Sequence, residues 1–512
     1  TEGRIWINNK KMHPNSLLRG QHQHSYSRRI LSNWMENART GKMVVRIPSR
    51  SPIVSQTKRS TRVTRLLIAT FLTMIIITPA SISAASRADH VAPTQQATGM
   101  HNLLGTCYTF QDIDGQLLPP LAVAAGSRWD RFDFRWNVIE GETYRLDPMN
   151  FAPHDTIVDR DLSYGIDVIG ILGSTPAWAA ENCHVRAQTD ERETQSPTAP
   201  LFGLGVRATD DAYWWRPCPP VGLDKPWNDP ANVWGNYVYE TVTHFKDRVR
   251  VWEIWNEPDL GQTFWSGSVE EYAQLLKVGY LATKAADPNA TVLFGGLAYW
   301  SNPSYYVAVL DALSTLPGGA ENNYYFDVLS LHLYSSVYQI RPIAVEIYAN
   351  MASRVGPHPI WLTETGVPLW DEWPADTPSA LRTNRATAYE AAAYVIQAFA
   401  EARAIGIERF IFFRTHDENM TVGWQPGETN LPEYFGLIRN DLSLRPSYGA
   451  YRVAALYLQG ENQVTGPFSH GGTRRITFWG TPNGRVDVLW NETGSPLTVT
   501  HPALLPAVTI VD

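Results

Sequence analysis

The 512-residue sequence predicts an α/β protein, a (β/α)8 TIM barrel with a small C-terminal antiparallel β domain. Eight short, nearly continuous apolar runs recur between residues 103 and 415, and longer segments separate them. Strands that are apolar on both faces are typical of parallel sheets covered by helices. Eight such units over roughly 350 residues fit a barrel with insertions. After about Leu456, short alternating runs between turn residues predict antiparallel strands.

The composition is that of a globular protein: 44% of the residues are hydrophobic, 18% are charged and the mean hydropathy is −0.24. These values exclude collagen-like, mostly disordered and polytopic membrane proteins. Three cysteines exclude a disulfide-rich scaffold and offer no zinc-ribbon spacing. The 19 tryptophans are more than a core needs, and such a surplus suits a protein that stacks flat ligands.

Charge is distributed unevenly along the chain. Residues 1–65 contain 14 Lys and Arg against 2 Asp and Glu, whereas the remainder contains 29 against 48. Nucleic-acid binding requires a basic surface for the phosphates, so the acidic body argues against nucleic acid as a partner. We expect a neutral ligand for the same reason, because acidic ligands would be repelled.

An uncharged apolar run, LLIATFLTMIIIT, covers residues 66–78 directly after a basic stretch. Pro79 interrupts the run, and Ser83 and Ala85 then supply the small residues of a cleavage site. This order is typical of a secretory signal, so we predict an exported, extracellular protein. The alternative is an uncleaved N-terminal membrane anchor with the protein facing outside, although the run is short for a bilayer span.

The N-terminal region is divided accordingly into residues 1–85, which we exclude from the fold and which include the hydrophobic region 66–85, and a linker of residues 86–98. The basic stretch is unusually long for a signal, which points to Met43 as the true start. Residues 1–42 would then be upstream sequence translated in error.

Eight predicted barrel strands follow within residues 99–455. They are LLGTCYTF (103–110), RWDRFDF (128–134), IDVIGILG (166–173), VRVWEIW (249–255), TVLFGGL (291–297), FDVLSLHLY (326–334), PIWLTET (359–365) and RFIFFRT (409–415). Helical patterns between the later strands cover residues 234–247, 270–286, 305–316, 343–354 and 380–404. A doubly wound sheet is the rival architecture, but no glycine-rich phosphate loop follows the first strand.

The small domain is assigned to residues 456–512. RRITFWG, RVDVLWN and LTVTHP are short alternating runs between turns rich in Gly, Pro and Asn. The chain stops at Val511 and Asp512 without an obvious closing element, so one interpretation is that this domain is incomplete.

Two carboxylates occupy the ends of predicted strands. Glu257 follows the fourth strand in WNEP, and Glu364 lies at the end of the seventh in TETG. The carboxyl ends of barrel strands meet at one face, where barrel enzymes carry their reactive groups. Two facing carboxylates are what cleavage of a glycosidic bond requires, because one protonates the leaving oxygen and the other attacks or activates water. Two structural salt bridges are the alternative, but they do not explain why both acids lie at the same face.

Neighbouring residues fit supporting roles. Arg131 on the second strand is placed to hold a carboxylate ionised, and Tyr334 at the end of the sixth strand to donate a hydrogen bond to the same group. His332 lies two residues before Tyr334, on the same face of the strand. Two alternatives stay open: Arg131 pairs with Asp133 as a structural contact, and His332 is a core histidine.

These motifs resemble those of clan A glycoside hydrolases. WEIWNEPD (252–259) is similar to the acid/base motif of the clan, and WLTETG (361–366) is similar to its nucleophile motif. Three further segments resemble family 39, the branch that holds β-xylosidases and α-L-iduronidases. They are RFDFRW (131–136), SLHLYS (330–335) and RPSYGAY (445–451). The resemblance covers residues 99–455, and the combination of Asn-Glu-Pro with a second Glu at another strand end is specific.

The resemblance implies that Glu257 is the acid/base and Glu364 the nucleophile of a retaining hydrolase. It also implies that the residues around the reacting sugar are Asn256, Arg131, His332 and Tyr334. Asn256 would bind the 2-hydroxyl beside the scissile bond, where hydrogen bonds strengthen in the transition state. Burial and the neighbouring negative charge are expected to raise the pKa of Glu257 and keep it protonated as an acid.

Further candidates for substrate binding are aromatic and polar residues at or just after strand ends: Trp136, Trp178, Trp265, Trp300, Trp424, His416 and Asp417. Aromatic rings in such positions stack on sugar faces, although they also close barrel cores. Glu253 shares a strand face with Glu257 but lies deeper, and we interpret it as a buried structural acid. Glu140, past the second strand, reaches either sugar or solvent.

The segment of residues 180–228 is far longer than an ordinary loop and is rich in tryptophan, so we expect it to form a wall of the cleft. Cys183 and Cys218 lie within it, and an oxidising compartment would allow them to form a disulfide. Two unpaired thiols are the alternative.

The sequence therefore predicts a secreted, retaining glycoside hydrolase that cleaves β-linked oligo- or polysaccharides by double displacement, with xylan-type substrates as the first expectation. No cofactor and no metal are expected. A β-glucanase or mannanase of the same clan is one alternative, because the barrel does not determine the sugar. A non-catalytic carbohydrate-binding barrel is the alternative from another class, and it would keep the tryptophans and dispense with the acids.

Overall fold

The architecture is given by a computed structural model of the chain. The structure describes residues 42–47, 102–109, 112–113, 116–180, 216–372, 382–417, 434–493, 495–502 and 510. Two compact units are distinguished, of which the larger comprises residues 53–468 and 475–489 and the smaller residues 1–52, 469–474 and 490–512. All of the described candidate site residues belong to the larger unit.

Eight parallel strands close into a barrel in the larger unit, which confirms the predicted (β/α)8 fold. The strands are β1 (Leu104–Cys107), β2 (Trp129–Arg135), β3 (Asp167–Gly173), β4 (Val251–Asn256), β5 (Thr291–Leu297), β6 (Val328–Tyr334), β7 (Ile360–Gly366) and β8 (Phe410–Phe412). They follow one another around the barrel in chain order, and β8 closes the barrel by pairing with β1.

The interior of the barrel is a packed apolar layer rather than a channel. Each strand contributes one buried side chain to this layer: Cys107, Trp129, Ile169, Val251, Leu293, Val328, Trp361 and Ile411. Helices cover the outer face, so strands such as β4 are buried on both sides. This double burial explains why the strands read as continuous apolar runs in the sequence. The apolar layer also forms a dry floor beneath the carboxyl ends of the strands.

Nine helices are named here among the described residues. They are α1 (Pro119–Ala125), α2 (Trp136–Glu140), α3 (Ala152–Ser163), α4 (Val233–His244), α5 (Val269–Ala286), α6 (Tyr305–Thr315), α7 (Val337–Arg354), α8 (Ala388–Ala404) and α9 (Pro446–Tyr457). α5 begins with a capping box between Ser268 and Glu271, and α8 with one between Thr387 and Glu390. Each box satisfies backbone N–H groups that the first helical turn leaves without partners.

One helix begins earlier than its sequence pattern predicts. The predicted helix 343–354 starts after Pro342, whereas α7 begins at Val337 and includes the proline. Proline lacks an N–H donor and is unfavourable inside a helix. The buried face of α7 nevertheless begins before it, with Val337 and Ile340, and this tertiary packing compensates for the local preference.

The chain beyond the barrel forms the predicted small sheet. Its strands are β9 (Gln463–His470), β10 (Thr473–Thr481) and β11 (Gly484–Asn491), in the order β9-β10-β11. Within the larger unit, Phe478 of β10 stacks on Phe399 of α8 with ring centroids 6.3 Å apart.

The smaller unit contains a strand at Lys42–Ile47 that pairs in antiparallel register with Leu497–Pro502. This strand lies in the part of the chain, residues 1–85, that the sequence analysis excludes from the fold. The predicted signal or anchor at residues 66–85 lies outside the described residues. Among the residues that the structure describes, no helix is both long and apolar enough to cross a membrane.

Candidate active site

A cluster of polar side chains lies at the carboxyl ends of four strands, above the apolar layer. β2 contributes Arg131, β6 contributes His332 and Tyr334, and β7 contributes Glu364. β4 contributes Asn256, and Glu257 follows it directly. The structure thus brings together all six residues to which the sequence analysis assigned the chemistry and its immediate support.

Irregular backbone aims the two carboxylates into this cluster. The pairing of β7 with β6 shifts between Leu362 and Glu364, and this bulge places Glu364 opposite His332. Glu257 itself has a φ of 43°, in the left-handed region that residues other than glycine seldom adopt. Its backbone N–H donates to the Gly296 carbonyl at 2.8 Å, which ties this conformation to β5. Such local strain is common where a scaffold positions reactive groups.

Glu364 lies in a setting that favours its ionised form. Nη1 of Arg131 donates to its Oε1 at 2.7 Å, and the Tyr334 hydroxyl donates to its Oε2. Burial alone would raise the pKa of Glu364, but His332, Arg131 and the hydrogen bonds outweigh it, and the pKa is lowered. An ionised carboxylate held by two donors is chemically equipped to act as a nucleophile.

Glu257 shows the opposite tendency. Burial raises its pKa, His332 opposes that shift, and the charges of Glu364 and Asp259 add to it, so the net pKa is raised. Nδ1 of His332 lies 2.8 Å from Oε1 of Glu257. Two carboxyl groups whose surroundings drive their pKa values apart are suited to the roles of acid and nucleophile.

The proton arrangement on His332 follows from its two neighbours. Nη2 of Arg131 lies 3.3 Å from Nε2 of His332. Because a guanidinium only donates hydrogen bonds, Nε2 accepts, and the proton of the neutral ring resides on Nδ1 and points at Glu257. Burial lowers the pKa of His332, but Glu364 and the bond to Glu257 raise it, and the net direction is upward. This raised pKa concerns a second proton, on Nε2, whereas the Nδ1 proton of the neutral ring is directed at Glu257 in either case.

The separation of the two carboxyl groups bears on the type of reaction. One oxygen of Glu257, one of Glu364 and one ring nitrogen of His332 all lie within 4.8 Å of one another. Retaining glycosidases place their carboxyl groups roughly 5–5.5 Å apart, whereas inverting enzymes need roughly 6.5–9.5 Å to admit a water. The nearest oxygens of the two carboxyl groups are thus close enough to allow the shorter arrangement.

The same three residues have the spacing of a metal site, but their surroundings disfavour a cation. Arg131 carries a permanent positive charge and contacts both Glu364 and His332. A second cation in this cluster would be repelled, and the carboxylates already accept hydrogen bonds. Within the described ranges, no other group of three His, Cys, Asp or Glu residues has such spacing.

No family model matches the chain. Two curated relatives are named β-xylosidase, one from Caldicellulosiruptor saccharolyticus with 26% identity over 243 residues and one from Geobacillus stearothermophilus with 31% identity over 112 residues. The first match covers 43% of this chain and 45% of the relative, and the second covers 20% and 21%. The chain therefore spans less than half the length of the curated relatives that it matches.

Solved structures share the barrel. A family 39 glycoside hydrolase from Bacteroides cellulosilyticus WH2 has a TM-score of 0.51 and 20% identity, over 76% of this chain and 71% of that one. The chain therefore shares its barrel fold with that family 39 enzyme. A glucosidase from Croceicoccus marinus is similar as well, with a TM-score of 0.50 and 17% identity over 74% and 76% of the chains. The resemblance that the motifs predict is thereby confirmed.

The other residues that we predicted to bind substrate differ in how far their side chains are exposed to solvent. Trp136 is fully buried, donates to Glu140 and stacks on Tyr237 at a centroid distance of 4.8 Å, so it has no free face for a sugar. Core packing, the alternative for aromatic residues at strand ends, therefore describes it. Trp265 is buried in the same way. Trp178 is half-buried, with its indole N–H donating to the Gly141 carbonyl at 2.9 Å.

Trp300, which follows β5, is the exposed member of the set, with 51% of its surface accessible. Asp259 anchors its turn, because its carboxylate accepts from the Ala298 N–H at 3.0 Å and from the Tyr299 N–H at 2.7 Å. Asp259 lies two residues after Glu257, so the turn that bears Trp300 is tied to the loop of the acid/base candidate. This position suits a ring that stacks on sugar beside the cleft.

The candidates after β8 separate in the same way. His416 is buried, and burial together with Arg414 lowers its pKa to about 3, so it stays neutral. Asp417 accepts from Nη2 of Arg445 at 2.6 Å and serves the barrel as a structural ion pair. Trp424 and Cys183 lie outside the described residues. The binding role of Trp424 and the disulfide with Cys218 therefore stay predictions.

Two further residues contribute to this cluster of polar side chains. Glu253 is the buried acid that the sequence predicts, and it accepts two hydrogen bonds from Arg131. Gly296 was not considered, although a Cβ atom there would lie 2.0 Å from Nε2 of His332. The available signals were a charged residue inside WEIWNEPD and a pair of glycines inside the apolar run TVLFGGL.

Proposed function

We propose that this chain is a retaining glycoside hydrolase that acts on β-linked sugars, with β-xylosides as the first substrate class. The observation that carries the proposal is the pair Glu257 and Glu364, which face each other with pKa values shifted in opposite directions. The β-xylosidase names of the two curated relatives support the choice of sugar. The apolar run at residues 66–78 supports export, which we include in the proposal.

The proposed reaction has two displacements. In the first, Glu364 attacks the anomeric carbon while Glu257 gives its proton to the departing oxygen, and a glycosyl ester forms on Glu364. In the second, Glu257 takes a proton from water as that water attacks the anomeric carbon and releases Glu364. His332 accompanies Glu257 in both steps, because its Nδ1–H stabilises the carboxylate left after proton transfer.

Arg131 and Tyr334 act on the other carboxyl group. Both donate to Glu364 before attack, and they keep it ionised in a buried position. Asn256 is itself held by Arg131, whose Nη2 donates to its Oδ1 at 2.8 Å. That bond leaves the amide N–H groups of Asn256 to donate to a substrate hydroxyl.

A panel of aryl glycosides tests the proposal. We expect the full chain to release p-nitrophenol from one of the β-xyloside, β-glucoside, β-mannoside and α-arabinoside, with the β-xyloside first. Proton NMR of the early β-xyloside reaction should show β-xylose before the anomers equilibrate, because two displacements restore the configuration. α-Xylose as the first product would contradict the retaining mechanism. No release from any aryl glycoside or from xylo-oligosaccharides would contradict the hydrolase.

The pH dependence follows from the two pKa directions. Activity requires ionised Glu364 and protonated Glu257, so we expect a bell-shaped profile of kcat/KM. The lowered pKa of Glu364 places the acidic limb below the usual range of glutamate, and the raised pKa of Glu257 places the basic limb above it. Glu257→Gln should lose the basic limb on a dinitrophenyl glycoside, whose leaving group needs little protonation. A basic limb that persists in this variant would assign the acid role to another residue.

A further inference from the structure

Glu253 is a fully buried carboxylate on β4 that the two-step reaction does not use. Its Oε2 accepts from Nε of Arg131 at 2.7 Å, and its Oε1 accepts from Nη2 at 3.1 Å. A buried ion pair of this kind is often purely structural, and its net effect on stability is small. Its partner Arg131, however, also contacts residues of the candidate active site.

Three further contacts of Arg131 lie in the candidate active site, with Glu364, Asn256 and His332. Nη1 donates to Glu364 at 2.7 Å, and Nη2 donates to Asn256 at 2.8 Å. A guanidinium is planar and rigid, so two hydrogen bonds along one edge fix the direction of its remaining N–H groups. Glu253 occupies that edge. It thereby sets the angle at which Arg131 meets the nucleophile.

The neighbouring strand leaves room for this arrangement. A Cβ atom at Gly296 would lie 2.8 Å from Oε1 of Glu253 and 2.0 Å from Nε2 of His332. The space for both side chains therefore depends on a glycine inside β5, a position where glycine weakens a strand. This feature is independent of the hydrogen bonds and indicates that the position of Glu253 is built into two strands.

Charge gives Glu253 a second effect. Arg131 bridges Glu253 and Glu364, so its positive charge is shared by two carboxylates. Without Glu253 the whole charge would act on Glu364, and the ionised nucleophile would be stabilised more strongly before the reaction. Stabilisation of the ground state alone raises the barrier to attack.

We propose that Glu253 is a positioning residue of the reaction, which holds Arg131 at the angle that serves Glu364 and Asn256 and competes with Glu364 for its positive charge. This inference rests on the proposed function for its kinetic consequence, but its electrostatic consequence exists without substrate. Charged or titratable groups that face Glu364 besides Glu253 are Arg131, His332, Tyr334, Glu257, Cys107, Tyr108 and Asp133.

The test is Glu253→Gln in the full chain, which keeps the shape and removes the charge. We expect kcat to fall by about 10²-fold with a smaller change in KM, because the groups around the reacting sugar are displaced. We also expect Glu364 to titrate at lower pH, because one of the two carboxylates that share Arg131 is gone. The carboxyl carbon of Glu364 is followed by NMR in protein labelled with ¹³C at glutamate, and its signal is assigned by comparison with Glu364→Gln.

The matched control is Glu461→Gln, which removes another buried carboxylate paired with an arginine at 2.7 Å, in this case Arg403. We expect it to change thermal stability and to leave both the titration of Glu364 and kcat at wild-type values. Glu253→Asp keeps the charge and should hold the titration of Glu364 near its wild-type position. A titration of Glu364 in Glu253→Gln that is unchanged, or moved to higher pH, would overturn the inference. Failure of the proposed function would instead appear as an inactive wild type, while the NMR comparison would still decide the role of Glu253.

Discussion

Replacement of Glu364 by alanine is expected to lower kcat/KM by about 10⁴-fold or more, because the reaction loses the group that bonds to the anomeric carbon. The variant should remain folded. After the Glu364 carboxylate is removed, Arg131 still pairs with the buried Glu253, so no unpaired cation is left in the core. Hydrolysis of an aryl glycoside, followed with thermal denaturation of the same sample, measures both expectations.

Adding azide to the Glu364→Ala variant tests whether Glu364 is the nucleophile. A small anion can enter the space left by the carboxylate, where Arg131 and Tyr334 remain as donors, and attack the anomeric carbon from the nucleophile's side. A β-glycoside should then yield the α-glycosyl azide, since only one displacement occurs.

Glu257→Ala is the matched control for the azide experiment. It keeps the nucleophile, so azide would attack the glycosyl-enzyme and give the β-glycosyl azide. The two variants are thus expected to give products of opposite configuration. A β-azide from Glu364→Ala would show that the roles of the two acids are reversed.

Gly296→Ala is expected to have the second largest effect, although the residue bears no chemistry. The added Cβ would lie 2.0 Å from Nε2 and 2.5 Å from Cε1 of His332, so the imidazole must move. Its bond to Glu257 moves with it, and a displacement of this size is expected to lower kcat/KM by about 10²-fold. Overpacking should also reduce the free energy of unfolding by about 1–3 kcal/mol. Kinetics and thermal denaturation measure the two effects.

Gly449→Ala is the control for this substitution. Gly449 lies within α9, and a Cβ atom there would meet nothing within 4 Å. Alanine is favoured over glycine inside a helix by about 0.5–1 kcal/mol, so this variant should be slightly more stable and fully active. Wild-type activity in Gly296→Ala would mean that the position of His332 is not required for catalysis.

The barrel and its main reactive pair could be predicted because both depend on short-range patterns. Continuous apolar strands such as IDVIGILG specify a doubly covered parallel sheet, and the place of Glu257 and Glu364 at strand ends follows from that sheet. Strand position predicts the supporting roles of Arg131 and Tyr334, and the resemblance to known motifs adds a role for His332 beside the reacting sugar. The structure supplies the contacts through which these three residues reach the two acids.

The features that escaped prediction depend on contacts between strands. The aromatic residue Trp136 has the same local signal as an exposed sugar platform, and only its packing on Tyr237 identifies it as core. The contact of Glu253 with Arg131 could not be predicted, because the two residues lie two strands apart in the barrel. The bulge before Glu364 changes which side of β7 faces inward, and no residue type in WLTETG predicts this bulge.

The contacts of Arg131 have a consequence for how the protein acquires its activity during folding. Arg131 is bonded to Glu253 across 122 positions of sequence and to Glu364 across 233. The first four βα units contain Arg131, Glu253 and Glu257, whereas Glu364 belongs to the seventh. A partly folded chain with only its first half assembled would contain Glu257 in place but would lack Glu364. The proposed turnover therefore requires the closed barrel, because its residues come together only when the most distant segments of the chain have met.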